Sequence, residues 1–73
     1  MTPDAVRALR IALGYTSCWQ AAQTFGVETS TWQKWERGTY AIPPLYARVL
    51  QLCADDPDLL SELEEMAAAE SEA

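Results

Sequence analysis

Residues 17–38 have the sequence Ser-Cys-Trp-Gln-Ala-Ala-Gln-Thr-Phe-Gly-Val-Glu-Thr-Ser-Thr-Trp-Gln-Lys-Trp-Glu-Arg-Gly. The apolar spacing predicts two short helices, the first ending near Phe25 and the second ending at Gly38. Between them, Gly26 can take the positive φ that a sharp turn requires, and Val27 can fill the space beneath that turn. The stretch therefore predicts a helix, a tight turn and a second helix in succession.

The second of these helices is expected to begin with Glu28 or Thr29 as its cap. Trp32 and Trp35 lie three positions apart, so they share one side of the helix and are expected in the core. The other side presents small polar and basic groups, namely Thr29, Ser30, Gln33 and Lys34.

Helices are also predicted before and after this pair. Thr2 can cap a first helix in which Pro3 is the first residue, and Gly14 ends it. Thr16 or Ser17 can cap the second helix. Pro43-Pro44 starts the fourth helix and Asp56-Pro57 starts the fifth. The fourth helix carries two adjacent apolar stripes, both expected to be buried: Leu45, Val49 and Leu52, and Tyr46, Leu50 and Cys53.

The fold class that follows is all-α, a compact five-helix domain in which helices 2 and 3 form a helix-turn-helix. Residues 1–67 make this one domain, and residues 68–73 form an acidic tail that is expected to fray. A chain of 73 residues has room for one small core, which leaves the domain marginally stable alone. Dimerisation would therefore help it.

The composition argues against several classes of protein. Cys18 and Cys53 stand far apart and there is no histidine, so we expect two reduced thiols, no metal and no cofactor. No phosphate loop or catalytic constellation is present, and we expect no enzymatic activity and no small-molecule substrate. No apolar run reaches the ~20 residues that span a bilayer, and no secretory signal is evident. We expect a cytoplasmic protein that does not bind membranes.

The charge is unevenly distributed along the chain, whose net charge is −6. Residues 1–50 hold five basic and three acidic groups, whereas residues 51–73 hold eight acidic groups and no basic group. A basic stretch can bind nucleic acid even when the net charge of the chain is negative. The local charge is therefore more informative about nucleic-acid binding than the net charge.

The chain resembles the Cro/lambda-repressor type of helix-turn-helix family, also called XRE-like, over about residues 3–66. The matching residues are Arg10-Ile11-Ala12-Leu13-Gly14, Ala22, Gly26-Val27 and Trp35-Glu36-Arg37-Gly38. Regulators encoded beside anti-CRISPR genes are similar in size and layout, and they repress their own operon through an inverted repeat. The resemblance thus implies a DNA-binding repressor.

The resemblance implies roles for particular residues. Such a protein binds double-stranded DNA as a homodimer, with each third helix in the major groove. The uneven charge distribution leads us to expect that the acidic end faces away from the DNA. Position by position, the base-contacting candidates are Thr29, Ser30, Gln33 and Lys34. The phosphate-contacting candidates are Ser17, Arg37, Thr39 and Tyr40. Arg10 and Glu36 match positions that pair as a buried salt bridge in some relatives.

Two departures from the family pattern concern helix 2. Cys18 stands where many relatives have glutamine, which puts one phosphate contact in doubt. One additional residue between Gly14 and Ala22 leaves the start of the helix open. Trp19 could be a core residue, a dimer contact or an exposed ring, and partial packing against a neighbouring element is favoured.

The C-terminal part is expected to form the dimer. The candidates are Tyr46, Leu50, Leu60, Leu63 and Met66, and for each one the alternative is packing within its own chain. A different function for the same fold is an antitoxin-type interaction module, which would neutralise a partner toxin with its acidic tail or apolar face.

Overall fold

The structure is a computed structural model that describes the backbone of residues 1–72 and the side chains of residues 1–70. Five α-helices and no strand are present in residues 1–72, which confirms the all-α prediction. The helices are α1 (Pro3–Ala12), α2 (Cys18–Phe25), α3 (Thr29–Arg37), α4 (Pro44–Asp55) and α5 (Pro57–Glu72).

The predicted caps account for where α1 and α5 begin. The Thr2 hydroxyl accepts a hydrogen bond from the Ala5 amide at 3.1 Å, and Pro3 follows it as the first residue of α1. At α5, the carboxylate of Asp56 accepts from the Asp58 amide at 3.1 Å. Short polar side chains satisfy amides that have no partner within the helix, which fixes the first turn.

The connection between α2 and α3 is a tight turn at Gly26, whose φ is 70°. The Val27 amide donates to the Ala22 carbonyl at 3.0 Å and so ends α2. No atom lies within 4 Å of the position that a Cβ of Gly26 would occupy. The positive φ, and not a lack of space, therefore favours glycine here. Helix, turn and helix follow in the order that a helix-turn-helix requires.

A chain of aromatic rings joins three helices. Phe25 of α2 stacks on Trp32 at 5.6 Å between centroids, Trp32 contacts Trp35 at 5.5 Å, and Trp35 contacts Tyr46 of α4 at 5.3 Å. Trp32 is fully buried and Trp35 is 5% exposed, which confirms the prediction that both are core residues. Ring contacts of this kind add to the free energy of burial and hold α3 against α2 and α4.

The prediction that both apolar stripes of α4 are buried was wrong. Leu50 and Cys53 are 1% exposed and lie in the core, but Leu45 is 69% exposed and Leu52 is 55% exposed. The reason is that α4 packs against α1 and α5 with its Leu50 side towards the core. One apolar face of α4 therefore remains uncovered.

Helix α5 packs against α4 and α2, and a hydrogen bond ties it to the connection between α1 and α2. The hydroxyl of Tyr15 donates to a carboxylate oxygen of Glu64 at 2.8 Å, and burial raises the pKa of Tyr15 to about 12. The helix continues to Glu72, so residues 68–70 are helical and exposed. Fraying of residues 68–73 stays a prediction. For residues 71–73 this prediction lies outside the side chains that the structure describes.

Leu50 and Leu52 are a matched pair for testing which side of α4 faces the core. Leu50→Ala should lower the free energy of unfolding by about 2–5 kcal/mol, because it leaves a cavity in a packed interior. Leu52→Ala should change it by less than about 0.5 kcal/mol in dilute solution. Urea denaturation of both variants checks this, and equal losses would contradict the burial of Leu50 and the exposure of Leu52.

Candidate nucleic-acid interface

The first turn of α2 is held by side chains on both sides of its cap. The hydroxyl of Ser17 accepts from the Gln20 amide at 3.3 Å, so Ser17 is the N-cap and the helix begins at Cys18. The side-chain oxygen of Gln20 in turn accepts from the amide of Thr16 at 2.9 Å and from its hydroxyl at 3.1 Å. This reciprocal arrangement resembles a capping box and settles the start of the helix that the sequence left open.

The carboxylate of Glu36 joins α3 to α1 and α2. Its two oxygens accept from Arg10 at 2.8 and 3.2 Å, and one of them also accepts from the indole of Trp32 at 2.6 Å and from the Cys18 thiol at 3.3 Å. Arg10 also donates to the Tyr15 carbonyl at 3.0 Å. The pair expected from the family resemblance is therefore formed, and each of its side chains is 9% exposed.

These contacts determine the charge states of the group. Burial alone would raise the pKa of Glu36, but the hydrogen bonds from Arg10, Cys18 and Trp32 outweigh it and hold that pKa below its ordinary value. The hydrogen bond to Glu36 raises the pKa of Arg10. Burial and the contact with Glu36 raise the pKa of Cys18, so the thiol stays protonated and acts as a donor.

Helix α3 presents its polar side to solvent. Ser30, Lys34 and Arg37 are exposed and recur at spacings of four and three, so they form one stripe along the helix. Thr29 and Gln33 are half-buried beside it. The four base-contacting candidates thus lie on the uncovered part of α3, with Thr29 and Ser30 at its start.

A cleft of about 240 Å³ lies between α1, α3 and the first turn of α2. It is lined by Arg7, Cys18, Gln33, Glu36 and Arg37. Because Glu36 is paired with Arg10, the guanidinium groups of Arg7 and Arg37 leave the cleft basic. The same region contains the amino-terminal end of α2, whose amides and helix dipole favour an anion. The cleft can therefore accept a phosphate group.

Contacts of Lys34 connect α3 with Thr39 and Tyr40, the candidates in the following loop. The ammonium of Lys34 lies over the ring of Tyr40, 5.2 Å from its centroid, and the Lys34 carbonyl accepts from the Thr39 amide at 3.0 Å. Thr39 and Tyr40 are both exposed, and Tyr40 is 60% so. Gly38 takes a φ of 79° and turns the chain at this point. The end of α3 and the following loop therefore share one exposed surface with Lys34.

Sequence reasoning missed the part that Arg7 plays. An arginine on the polar side of a helix is usually a solvated charge, but the packing of α1 on α3 places Arg7 in the cleft with Arg37. Its position one turn before Arg10 was the available signal, since Arg10 was expected to face α3. Cys18 also has a role that its type did not indicate, because its thiol hydrogen bonds to Glu36.

Trp19 is mainly a surface residue. The sequence favoured partial packing, but the structure leaves 59% of this side chain exposed in the first turn of α2. The indole therefore lies at the surface, two positions after the Ser17 cap, rather than in the core.

The dimer candidates divide into two groups. Leu50 is buried in its own chain, which removes it from the candidates, and Tyr46 packs against Trp35 in the core. Leu60 and Leu63 are half-buried, and only Met66 of the five is mostly exposed, at 62%. Intrachain packing thus uses most of the apolar surface that was expected to form the interface.

The acidic helix is not wholly remote from the candidate interface. Glu70 and Ala67 of α5 line a depression of about 270 Å³ together with Gly26 and Val27 of the turn before α3. The last described turn of α5 therefore lies beside the turn that precedes α3. The cause is that α5 packs along α2 and ends near the end of α2. The expectation that the acidic end faces away from DNA stays a prediction.

Neither a metal site nor a membrane span is found in the described residues. No group of three or more histidine, cysteine, aspartate or glutamate side chains there could hold a metal ion. No helix in the described part of the chain has the length and apolar character needed to cross a bilayer.

These features define a small all-helical protein with a polar helix face and a basic cleft on one side. The chain belongs to the Aca2/YdiL-like family, whose model matches residues 1–71. This is a family of anti-CRISPR-associated regulators. No curated protein and no solved structure matches the chain significantly.

Removing the shared carboxylate should destabilise the domain. Glu36→Ala leaves the buried guanidinium of Arg10 without its charged partner, and we expect a loss of about 3–5 kcal/mol in the free energy of unfolding. Glu28→Ala is the matched control, because Glu28 is exposed and makes no capping hydrogen bond. Thermal denaturation of both checks this, and an unchanged melting temperature in Glu36→Ala would refute the role of the carboxylate.

The same carboxylate should make stability depend on pH. Because the pKa of Glu36 is lower in the folded chain than its ordinary value of 4.5, the unfolded chain binds more protons in acid. Its contribution is fully present above the ordinary pKa and is lost as pH falls through the folded pKa. Unfolding free energies between about pH 3 and pH 7 should show wild type and Glu36→Gln converging in acid. Parallel curves for wild type and Glu36→Gln would contradict this.

Proposed function

We propose that this chain is a dimeric, sequence-specific DNA-binding regulator of the XRE-like helix-turn-helix type. It represses its own operon in a phage or mobile element, such as an anti-CRISPR operon, by binding an inverted repeat. The observation that carries the proposal is the exposed polar side of α3 next to the basic cleft at the start of α2. Membership of a family of anti-CRISPR-associated regulators supports it.

Base contacts are assigned to the start and middle of α3. Ser30 and Lys34 are exposed and have the reach to contact base edges in a major groove, which admits an α-helix. Gln33 can form two hydrogen bonds with adenine, and Lys34 can donate to guanine. Lys34 also contacts the ring of Tyr40, which limits the directions its ammonium group can take.

Phosphate contacts are assigned to two places on either side of α3. In the cleft, Arg7 and Arg37 supply charge, and the first turn of α2 after Ser17 supplies amides. In the loop after α3, the exposed hydroxyls of Thr39 and Tyr40 can donate to phosphate oxygens. The two phosphate backbones of a DNA duplex could then run past α3, one along the cleft and the other along the loop after α3.

The negative net charge is compatible with this function. Within residues 51–70, the acidic groups lie at the end of α4, at Asp56 and on α5, whereas Arg7, Lys34 and Arg37 surround the exposed side of α3. Because few cations are available, contacts to the nucleotide bases and uncharged contacts to phosphates must provide much of the affinity for DNA. We expect a modest dependence of affinity on salt compared with strongly basic DNA-binding proteins.

The test of the proposal is binding to the DNA directly upstream of the gene. Nuclease protection should show two equivalent half-sites with centres about 34 Å apart, one helical turn, on an inverted repeat. A reporter joined to that promoter should lose expression when the protein is supplied. Equal affinity for this DNA and for a scrambled sequence of the same length would overturn the proposal.

Substitutions should separate base contacts from phosphate contacts. Gln33→Ala or Lys34→Ala should lose about 1–3 kcal/mol of discrimination between the operator and single-base variants. Arg7→Ala or Arg37→Ala should weaken all sequences alike and reduce the salt slope by about one for each phosphate that is no longer neutralised.

Ser61→Asp is the matched control for the arginine variants, because it changes the net charge equally at an exposed position of α5. It should leave the salt slope unchanged. If Gln33→Ala weakened all sequences alike, the assignment of that residue to base contact would be wrong.

A further inference from the structure

An apolar groove of about 600 Å³ lies between the start of α1 and the uncovered side of α4. Met1, which is 43% exposed, and Ala5 form one wall, and Ala47 and Leu52 form the other. Leu45 continues the apolar surface further towards the start of α4, where it is 69% exposed. Exposed apolar side chains gathered in this way mark a surface that binds a partner.

Two opposite charges flank the centre of this surface. Arg48 lies about one turn before Leu52 and Asp55 about one turn after it, and both line the groove. They are separated by seven positions, so they point to the same side of α4 but lie too far apart to pair with each other. Among the described residues, neither of them forms an ion pair. The exposed face of α4 therefore carries an apolar centre with a positive and a negative end.

We infer that a second copy of this chain occupies the groove, with the two α4 helices antiparallel about a two-fold axis next to Leu52. This inference rests on the proposed function in that it assigns the interface of the proposed dimer. Antiparallel packing brings Arg48 of each copy to Asp55 of the other, so both charges find a partner. Each Leu52 is then covered by the opposite groove. A two-fold interface must be self-complementary, and this face satisfies that condition.

The exposed face of α5, the alternative interface, is not self-complementary. Met66 is its exposed large apolar residue, and Glu62 and Glu70 lie one turn on either side of it. Helix α5 contains no basic residue, so two copies joined there would bring carboxylates against carboxylates. Charge therefore favours α4 over α5 as the interface. An interface confined to one helix pair and a short groove is small, so we expect a dissociation constant in the micromolar range.

The test is a charge exchange across the interface, measured without DNA. Sedimentation equilibrium should show wild type as a dimer that dissociates at about micromolar concentration. Arg48→Glu alone and Asp55→Arg alone should each raise the dissociation constant about tenfold or more, because two attractive contacts become repulsive. The double variant Arg48→Glu/Asp55→Arg should restore the dimer, since the pairing is reformed with its signs exchanged.

Met66→Glu is the control for the α5 face and should leave the dissociation constant unchanged. Circular dichroism should show that all the variants are folded, because every substituted position is exposed. A monomeric wild type, loss of the dimer in Met66→Glu, or failure of the double variant to restore association would each overturn the α4 interface. Because no DNA is present, a dimer of this kind that does not bind DNA would overturn the proposed function and leave the interface standing.

Discussion

The carboxylate of Glu36 is the contact on which the arrangement of the first three helices depends. One side chain accepts hydrogen bonds from Arg10 of α1, Cys18 of α2 and Trp32 of its own helix. A buried charge is costly unless it is fully paired, so the three donors must be in place together. The relative positions of α1, α2 and α3 are therefore coupled, and the cleft at their junction has a defined shape.

Much of the fold could be predicted because its signals are local. A hydroxyl before a proline, a glycine with positive φ and two tryptophans three positions apart each act within one or two turns of helix. The all-α class and the burial of Trp32 and Trp35 followed from such signals. The Arg10–Glu36 pair came from the resemblance, since no local rule connects positions 26 residues apart.

What could not be predicted depends on which elements are neighbours in space. The two stripes of α4 are about equally apolar, and only the packing of α1 and α5 decides that Leu50 is buried while Leu52 is exposed. For the same reason the position of Arg7 could not be predicted, since Arg7 lines the cleft only because α1 packs on α3. Periodicity shows that a helix has faces, but it does not show how many of them will be covered.

The scarcity of cations around α3 has a consequence for how a regulator of this kind would find its operator. A genome offers millions of competing sites, and a strongly basic protein spends most of its time on them. With Arg10 neutralised by Glu36, three basic side chains remain around the exposed side of α3, and the chain as a whole carries −6. Under the proposed function, little of the protein would be sequestered by unrelated DNA. A small number of copies in the cell could then keep a single operator occupied.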